Sequence, residues 1–291
     1  MSADPADSAD PADAEDADAA TRRSRPAVEL DGVTKEYDSG AGVVRALDDV
    51  DFVAHPGEFI AVMGPSGSGK STMLNVLGLL DEPTSGEVRL AGERVSGLSD
   101  RERTDQRRKY IGFVFQDFYL IPSLSAVENV EMPTLFTPGD GRERAADLLR
   151  TLGLGDRLDH RPTELSGGQQ QRVAVARSLV NSPQVVLADE PTGNLDTETS
   201  RSVLEEFTRI KDEERVAIVA VTHDDLVTEY ADRVVNLVDG VVVDDIATAR
   251  ASGRVDPNDQ EAGDDEAGDD ESGDDESGDD ESTPADRGDE P

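Results

Sequence analysis

The sequence of 291 residues contains no cysteine and no tryptophan, and it has only four lysines, Lys35, Lys70, Lys109 and Lys211. Without cysteine, the chain can form neither a disulfide framework nor a thiolate metal site. The three histidines do not have the spacing of metal ligands either. These absences exclude the disulfide-rich and zinc-binding classes of protein from further consideration.

Long apolar runs are also missing. No run approaches the roughly 18 residues that a membrane helix needs, and the longest, around 216–221, has the length of a strand. The N-terminus lacks the apolar core of a signal peptide. We therefore expect no segment that spans a membrane, and a protein that stays inside the cell.

Positive charge is scarce. Acidic residues number 65 against 28 basic ones, a net charge of -37, of which residues 1–26 carry -4 and residues 256–291 carry -17, leaving -16 for the middle. An acidic, lysine-poor surface resembles that of proteins from extreme halophiles, and the alternative is an ordinary acidic protein with acidic tails. In either case no basic stripe is available, which argues against nucleic-acid binding.

The two ends are the most biased segments. Residues 1–26 have no large apolar residue after Met1, and residues 261–282 repeat EAGDD and ESGDD units. Neither end can bury enough surface to offset its ordering entropy, so we expect disorder over 1–26 and 248–291. The C-terminal segment is interpreted as a solvating tail, with divalent-cation or partner binding as the alternative.

Between these ends, residues 27–247 have the pattern of one α/β domain. Three apolar runs have strand length and end in polar residues, namely FIAVM (59–63), QVVLADE (184–190) and VAIVAVTH (216–223). Helical patterns occupy 71–80 and 200–213. This alternation predicts a parallel sheet with helices on both faces and ligands at the carboxyl ends of its strands.

Two segments depart from that alternation. VEL near the start and VVVDDI near the end suggest additional antiparallel strands. Residues 117–180 are mostly helical in pattern, with no strong strand after FVFQ. We therefore expect an antiparallel β subdomain and an inserted helical subdomain beside the parallel core.

The stretch GPSGSGKS (64–71) fits the phosphate-loop pattern GxxxxGK[ST] between a strand and a helix. Its glycines allow backbone N–H groups to converge on a phosphate, and the dipole of the following helix adds positive potential. Lys70 is expected to reach the β and γ oxygens, and the Ser71 hydroxyl to ligate Mg²⁺.

Polar residues follow the other apolar runs. Asp189 is a candidate magnesium ligand, and Glu190 a candidate base that polarises the attacking water. His223 is interpreted as a γ-phosphate sensor or as a plain strand cap. Gln116 is interpreted as a bridge between Mg²⁺ and water, or as a polar residue at an element boundary.

The stretch LSGGQQQR (165–172) raises a different question, because its glycines and serine form a second anion-binding turn at a helix start. A chain with two such turns either binds two phosphate groups or uses each turn to complete a site that the other lacks. The residues alone leave both readings open.

Taken in order, these motifs resemble those of an ABC-type ATPase. GPSGSGKS, Gln116, LSGGQ, VVLADE, GNLD (193–196) and TH (222–223) correspond to its Walker A, Q-loop, signature, Walker B, D-loop and switch histidine. The resemblance implies a P-loop NTPase fold of ABC type that binds ATP and Mg²⁺. Its implied nucleotide-binding residues are Tyr37, which would stack on adenine, and Gly64, Pro65, Ser66, Gly67, Ser68, Gly69, Lys70, Ser71, Thr72, Ser166 and Gly168.

The resemblance also implies partners. Two copies of such a chain pack head to tail, so that Ser166 and Gly168 of one copy close over the phosphate held by the other. Because the sequence has one motif set, it needs a second copy. A separate integral membrane permease is implied as well, with the ATPase at the cytoplasmic face of the plasma membrane.

Finer matches, LNVLGLLDEPTSGEV (74–88) among them, are similar to ATPases of the macrolide-exporter, lipoprotein-release and cell-division group. Two functions follow as alternatives: ATP-driven export or extraction of a lipophilic or peptide-like substrate, and regulatory signalling through a membrane partner. The apolar residues Phe118, Tyr119, Leu120 and Ile121 are expected to be exposed and to receive the permease, or else to pack into the helical subdomain.

Overall fold

The computed structural model describes residues 25–40, 42–136 and 140–248. The disorder predicted for the two ends falls on residues that lie almost wholly outside these ranges. Within the described part of the chain, no helix is both long and apolar enough to cross a bilayer.

The central sheet has six strands in the order β10-β9-β3-β8-β7-β6. Five of them, β3, β6, β7, β8 and β9, run parallel, and β10 is antiparallel to β9. The strand bounds are Phe59–Met63 for β3, Ile111–Phe115 for β6, Val185–Asp189 for β7, Ala217–Val221 for β8, Arg233–Val238 for β9 and Val241–Ala247 for β10.

The second sheet has four antiparallel strands in the order β2-β1-β4-β5. Its strands are β1 Val28–Ser39, β2 Gly42–Ala54, β4 Ser85–Leu90 and β5 Glu93–Arg94. The antiparallel pairing predicted from VEL is present in β1, and that predicted from VVVDDI is present in β10, which belongs to the central sheet.

Along the chain, the helices lie between strands, and they cover the central sheet. Their bounds are α1 Lys70–Leu77, α2 Asp100–Tyr110, α3 Ala126–Glu131, α4 Gly141–Thr151, α5 Gly167–Leu179, α6 Thr197–Glu214 and α7 Leu226–Tyr230, with 3₁₀ turns at Met132–Phe136 and Pro162–Glu164. Helices α3 to α5 lie between β6 and β7, where the sequence predicts the helical insertion.

Strands β3 and β8, at the centre of the sheet, contain only apolar residues because both of their faces are buried. In β3, Ile60 and Val62 pack into a core shared with α1 and the antiparallel sheet. Phe59 and Ala61 pack into a second core with α5 and α6. Because side chains alternate along a strand, each strand must supply apolar residues to both layers, which produces the continuous apolar runs of the sequence.

Candidate active site

The register of the central sheet brings the predicted site residues to one edge. Val62 of β3 aligns with Val221 of β8, Val221 with Asp189 of β7, and Asp189 with Phe115 of β6. The phosphate loop, His223, Glu190 and Gln116 begin one or two residues after these four positions. With strands about 4.8 Å apart, the row from β3 to β6 spans roughly 14 Å.

The phosphate loop depends on glycine at two close approaches. A Cβ added at Gly64 (φ +155°) would lie 2.1 Å from the carbonyl oxygen of Leu237, and one at Gly69 (φ +106°) would lie 2.3 Å from that of Ala46. Backbone contacts this short leave no room for a side chain. The Lys70 ammonium donates to the carbonyl oxygens of Gly64 at 2.6 Å and of Pro65 at 3.0 Å, so it lies across the loop.

The residues of this loop fit a phosphate group. Helix α1 begins after Gly69, which supplies no side-chain cap, and its first turn contains no acidic residue. The N–H groups of that turn are therefore left to an outside acceptor, at the positive end of the helix dipole. The Ser68 hydroxyl is buried and has no hydrogen-bond partner, which adds a donor inside the loop.

A magnesium ion would be held here only with help from the phosphates. The predicted ligands are Ser71 in the first turn of α1, Asp189 at the end of β7 and Gln116 after β6. Among the described residues no group of three acidic or histidine side chains could hold a metal by itself. Mg²⁺ is commonly bound by one or two protein oxygens together with substrate phosphates, and these residues fit that pattern.

Asp189 is electrostatically tied to the loop. Burial raises the pKa of its half-buried carboxyl and the neighbouring Glu190 raises it further, whereas the charge of Lys70 acts in the opposite direction. A cation beside Asp189 would relieve both unfavourable contributions, which is consistent with a metal-ligand role.

Glu190 is held by the end of strand β8. Its Oε2 accepts a hydrogen bond from the Thr222 hydroxyl at 2.8 Å, and its Oε1 lies 2.7 Å from Nδ1 of His223. Hydrogen bonding and charge from Glu190 raise the pKa of the exposed His223 imidazole. Glu190 itself has φ +45°, a left-handed conformation that is unfavourable for a residue with a side chain.

Gln116 is exposed and contacts the residues that follow Walker B. The Asn194 side chain donates to the carbonyl oxygen of Gln116 at 3.0 Å and to Oδ1 of Asp117 at 3.2 Å. A Cβ at Gly193 would lie 2.8 Å from Nε2 of Gln116, so the glycine provides space for this side chain. Asn194 and Thr222 lie in the D-loop and switch-histidine motifs, but the sequence does not reveal their contacts, because their partners lie far away in the chain.

Tyr37 lies beside the start of α1. Its hydroxyl donates to Oδ2 of Asp81 at 2.7 Å and shares a side-chain hydrogen bond with Thr72, while Lys35 lies 4.8 Å from the ring centroid. Burial and the Asp81 carboxylate raise the pKa of the Tyr37 phenol. The ring remains 38% exposed, next to the phosphate loop.

The signature stretch is separate from these contacts. Ser166 caps helix α5 in a capping box with Gln169, and its carbonyl oxygen accepts from Gln170. No hydrogen bond joins Ser166 to the phosphate loop within the described ranges. A Cβ at Gly168 would lie 2.4 Å from Cγ2 of Thr199, so the stretch packs against the start of α6.

The segment after Gln116 is only partly as expected. Tyr119 and Ile121 are exposed, at 64% and 39%. Leu120 packs against the core that contains α5 and α6, which agrees with the alternative for this residue, and Phe118 is half-buried. Because the chain must turn after β6, with φ +59° at Phe118 and +45° at Tyr119, neighbouring side chains point in different directions.

The comparisons with known proteins agree with the geometry. A family model described as ABC transporter matches residues 47–193. The chain is 50% identical over 220 residues to a macrolide export ATP-binding/permease protein MacB of Syntrophobacter fumaroxidans, covering 74% of this chain and 31% of that protein. It is 47% identical over 220 residues to an uncharacterized ABC transporter ATP-binding protein of Methanocaldococcus jannaschii, covering 75% of this chain and 98% of that protein.

Solved structures are similar as well. A dimeric structure of the ATP-binding cassette MJ0796 in a post-hydrolysis state, bound to ADP and Pi, matches with a TM-score of 0.69 and 45% identity, covering 76% of this chain and 98% of that chain. The chain spans about a third of the length of the MacB relatives. It belongs to the ABC transporter family, and the sheet edge described above lies in the ATP-binding cassette of that family.

Proposed function

We propose that this chain binds and hydrolyses ATP as the nucleotide-binding subunit of an ABC transporter. The observation that carries the proposal is the single row of strand ends from β3 to β6, which brings Lys70, Asp189, Glu190, His223 and Gln116 to one edge. Family membership and the structure of MJ0796 with ADP and Pi support it.

The residues take the following roles in this proposal. The loop N–H groups and Lys70 bind the phosphates, and Tyr37 stacks on the adenine ring. Ser71, Asp189 and Gln116 hold Mg²⁺, which when bound neutralises charge on the phosphate oxygens. Glu190 takes the proton of the attacking water, and His223 contacts the γ-phosphate.

Two copies form the working unit. In this proposal Ser166 and Gly168 of one copy complete the phosphate site of the other across a two-fold interface. Support comes from the dimeric state of MJ0796 and from the separation of Ser166 from the phosphate loop within one chain.

A membrane permease is the proposed second partner, and it would place the chain at the cytoplasmic face of the membrane. The similarity to MacB, an ATP-binding/permease protein, supports it. So does a surface cavity of about 420 Å³ lined by Phe113, Phe115, Tyr119, Pro133 and Arg177. Arg177 donates to the carbonyl oxygens of Phe118 and Tyr119, both at 2.6 Å, and so fixes the segment beside this cavity.

A charge placed in this cavity tests the permease surface. Tyr119→Asp should abolish co-purification of an integral membrane protein with the chain from detergent-solubilised membranes of its source cells, because an acid there opposes apolar docking. Val243→Asp, at another exposed apolar position (52%), is the matched control and should leave co-purification intact. Equal recovery with both variants would contradict docking at Tyr119.

Whether the cycle drives export or regulatory signalling is decided by the permease. We propose export or extraction of a lipophilic or peptide-like substrate, since three of the similar relatives are macrolide export proteins. Reconstitution of the chain with its permease in liposomes tests this choice, because ATP-dependent movement of a substrate across the bilayer is expected for export and not for signalling.

We also propose that the protein works in concentrated salt, given its net charge of -37 and four lysines. Carboxylates that repel one another in dilute buffer are screened in salt. ATPase activity should therefore fall at low ionic strength both in the full chain and after deletion of 256–291. Full activity of the truncated protein in dilute buffer would contradict this proposal.

The experiment that tests the catalytic proposal is Glu190→Gln. The amide keeps the shape of the side chain but cannot accept the water proton, so turnover should fall by about 10²–10⁴-fold while ATP binding persists. Gel filtration with Mg²⁺-ATP should then reveal a trapped dimer. Turnover at the wild-type rate would show that Glu190 is not the base.

A further inference from the structure

Thr222 is a buried residue at the end of β8 with a direct contact to Glu190. Its side chain is fully buried, and its hydroxyl has two partners. The hydroxyl accepts from the backbone N–H of Asp224 at 3.0 Å and donates to Oε2 of Glu190 at 2.8 Å. Because the hydroxyl has one proton and Asp224 offers another, its own proton must point to Glu190.

The two oxygens of the Glu190 carboxylate are held differently. Oε2 faces the buried Thr222 hydroxyl and the backbone N–H of His223, the latter at 3.4 Å. Oε1 faces the imidazole of His223, whose side chain is 77% exposed. One oxygen is therefore anchored to the interior of the protein, and the other is directed to the open edge of the sheet.

The backbone N–H that donates to the Thr222 hydroxyl belongs to Asp224, which is itself held by other hydrogen bonds. Asp224 accepts from the Thr192 hydroxyl at 3.1 Å and from the N–H of Leu226 at 3.0 Å. The N–H that Asp224 donates to Thr222 is thus held in place by two further hydrogen bonds. The Thr222 hydroxyl therefore accepts from a fixed donor, the N–H of Asp224, and donates to the carboxylate of Glu190.

We propose that Thr222 is the positioning residue for Glu190, an inference that rests on the proposed function. Its hydroxyl anchors Oε2 so that Oε1 is the oxygen presented to the attacking water once His223 turns to the phosphate. The left-handed backbone of Glu190 fixes only the start of that side chain. Without the anchor, Oε2 keeps only the 3.4 Å contact with the backbone N–H of His223, so the carboxylate is held less firmly. Misplacement of a catalytic group by about 1 Å can cost 100-fold in rate.

Thr222→Val tests the proposal, because valine has the shape of threonine without the hydroxyl. We expect kcat to fall by about 10- to 100-fold, with KM for ATP changed less than about threefold. Thr222→Ser, which restores the hydroxyl, should recover kcat to within about threefold of the wild type. Thr222→Ala should repeat the loss and shows that it does not depend on how valine packs.

A double variant separates positioning from general damage. Thr222→Val should lower turnover no further in a Glu190→Gln background, because the group that it positions is already inactive. Thr208→Val, which removes a hydroxyl bonded at 3.0 Å to the carbonyl oxygen of Leu204 in α6, is the matched control and should keep kcat. Thermal unfolding of all variants monitors folding.

The outcomes distinguish the two claims. If Glu190→Gln is impaired and Thr222→Val has wild-type kcat, the positioning role is overturned and the base assignment stands. Additive losses in the double variant, or no recovery with Thr222→Ser, also overturn it. If Glu190→Gln itself turns over normally, the proposed function fails first. The expected result is the combination of lost kcat, retained KM, recovery by serine and no added loss in the double variant.

Discussion

Two glycine-rich turns of this chain each open a helix, and the difference between them explains how the site is built. Helix α1 begins after Gly69, which offers no side-chain cap, so its first N–H groups remain available. Helix α5 begins after Ser166, whose hydroxyl accepts from the N–H of Gln169 and whose backbone N–H donates to Oε1 of Gln169. The first N–H groups of α1 therefore have no side-chain cap, whereas the Ser166 side chain caps the start of α5.

The surroundings of the two turns differ in the same sense. The α1 turn lies at the sheet edge with the acids that follow β7 and with its own Lys70. The α5 turn packs against the start of α6 through Gly168, and within the described residues no hydrogen bond joins Ser166 to the phosphate loop. A glycine-rich helix start can bind a phosphate through its free N–H groups, and at α1 the neighbouring strands supply the remaining groups of a site. This contrast is the structural reason for assigning the α5 turn to a second copy.

Among variants of the two turns, the largest effect is expected from one that disrupts the uncapped turn before α1. Gly64→Ala places a Cβ 2.1 Å from the Leu237 carbonyl oxygen, so the loop must shift. We expect affinity for ATP to fall by about 100-fold or more, because the N–H groups no longer converge on one phosphate. Titration with a fluorescent ATP analogue measures this loss.

Gly40→Ala is the control for that variant. Gly40 has no atom within 4 Å of an added Cβ, so its affinity for ATP should stay within about twofold. Equal affinity of Gly64→Ala and Gly40→Ala would mean that the loop does not cradle the phosphate.

A smaller effect is expected at the turn before α5, which Ser166 caps. Gly168→Ala brings a Cβ to 2.4 Å from Cγ2 of Thr199, which should displace the signature stretch and lower turnover by about tenfold. Affinity of the single chain for ATP should not change, because this turn does not serve its own phosphate loop.

Thr199→Ser supplies the matched rescue. It removes the methyl group that clashes and keeps the hydroxyl that donates to Asp196 at 2.7 Å. The Gly168→Ala/Thr199→Ser double variant should regain most of its turnover in an ATPase assay. A tenfold loss that persists in the double variant would assign the defect to something other than this clash.

The sequence predicts the strand before the α1 turn better than the end of the helix that follows that turn. The strand at 59–63 matches β3, because a run buried on both faces leaves a continuous apolar signal. The helix predicted over 71–80 ends at Leu77, because Leu79 takes a left-handed backbone (φ +53°), and Gly78 leaves no room for a side chain beside the ring of Phe113 from β6. That contact depends on the tertiary fold.

Other elements carry no such signal. Helix α2 has no buried residue, so its apolar pattern is absent, although the capping box of Ser99 and Glu102 marks its start. The contact of Thr222 with Glu190 joins positions 32 residues apart. It follows from the pairing of β7 with β8, and the sequence does not specify the order of strands in a sheet.

The smallest effect is expected for the pKa of His223, which pairs with Glu190 at the ends of the central strands. The pKa of His223 is raised by Glu190, so the positive charge that pairs with Glu190 is lost as the pH rises through that raised pKa. Glu190→Gln should lower the pKa of His223 toward the usual histidine value. An NMR pH titration of the His223 imidazole measures this change. An unchanged pKa would show that the two side chains are not paired in solution.

The central claim is that each nucleotide site combines the phosphate loop of one copy with the signature stretch of another. Lys70→Ala should weaken phosphate binding by loss of a charge-assisted contact, and Ser166→Arg should block closure by its bulk. Each pure variant should therefore occlude almost no nucleotide. In a mixed dimer, one site has both defects and the other has neither.

The decisive measurement is nucleotide occlusion in an equal mixture of these two variants, assembled with Mg²⁺-ATP in high salt. Random pairing in a two-fold dimer predicts occlusion in roughly half of the dimers, each with one intact site. Occlusion no greater than that of either pure variant would contradict the composite site and would return both turns to a single chain.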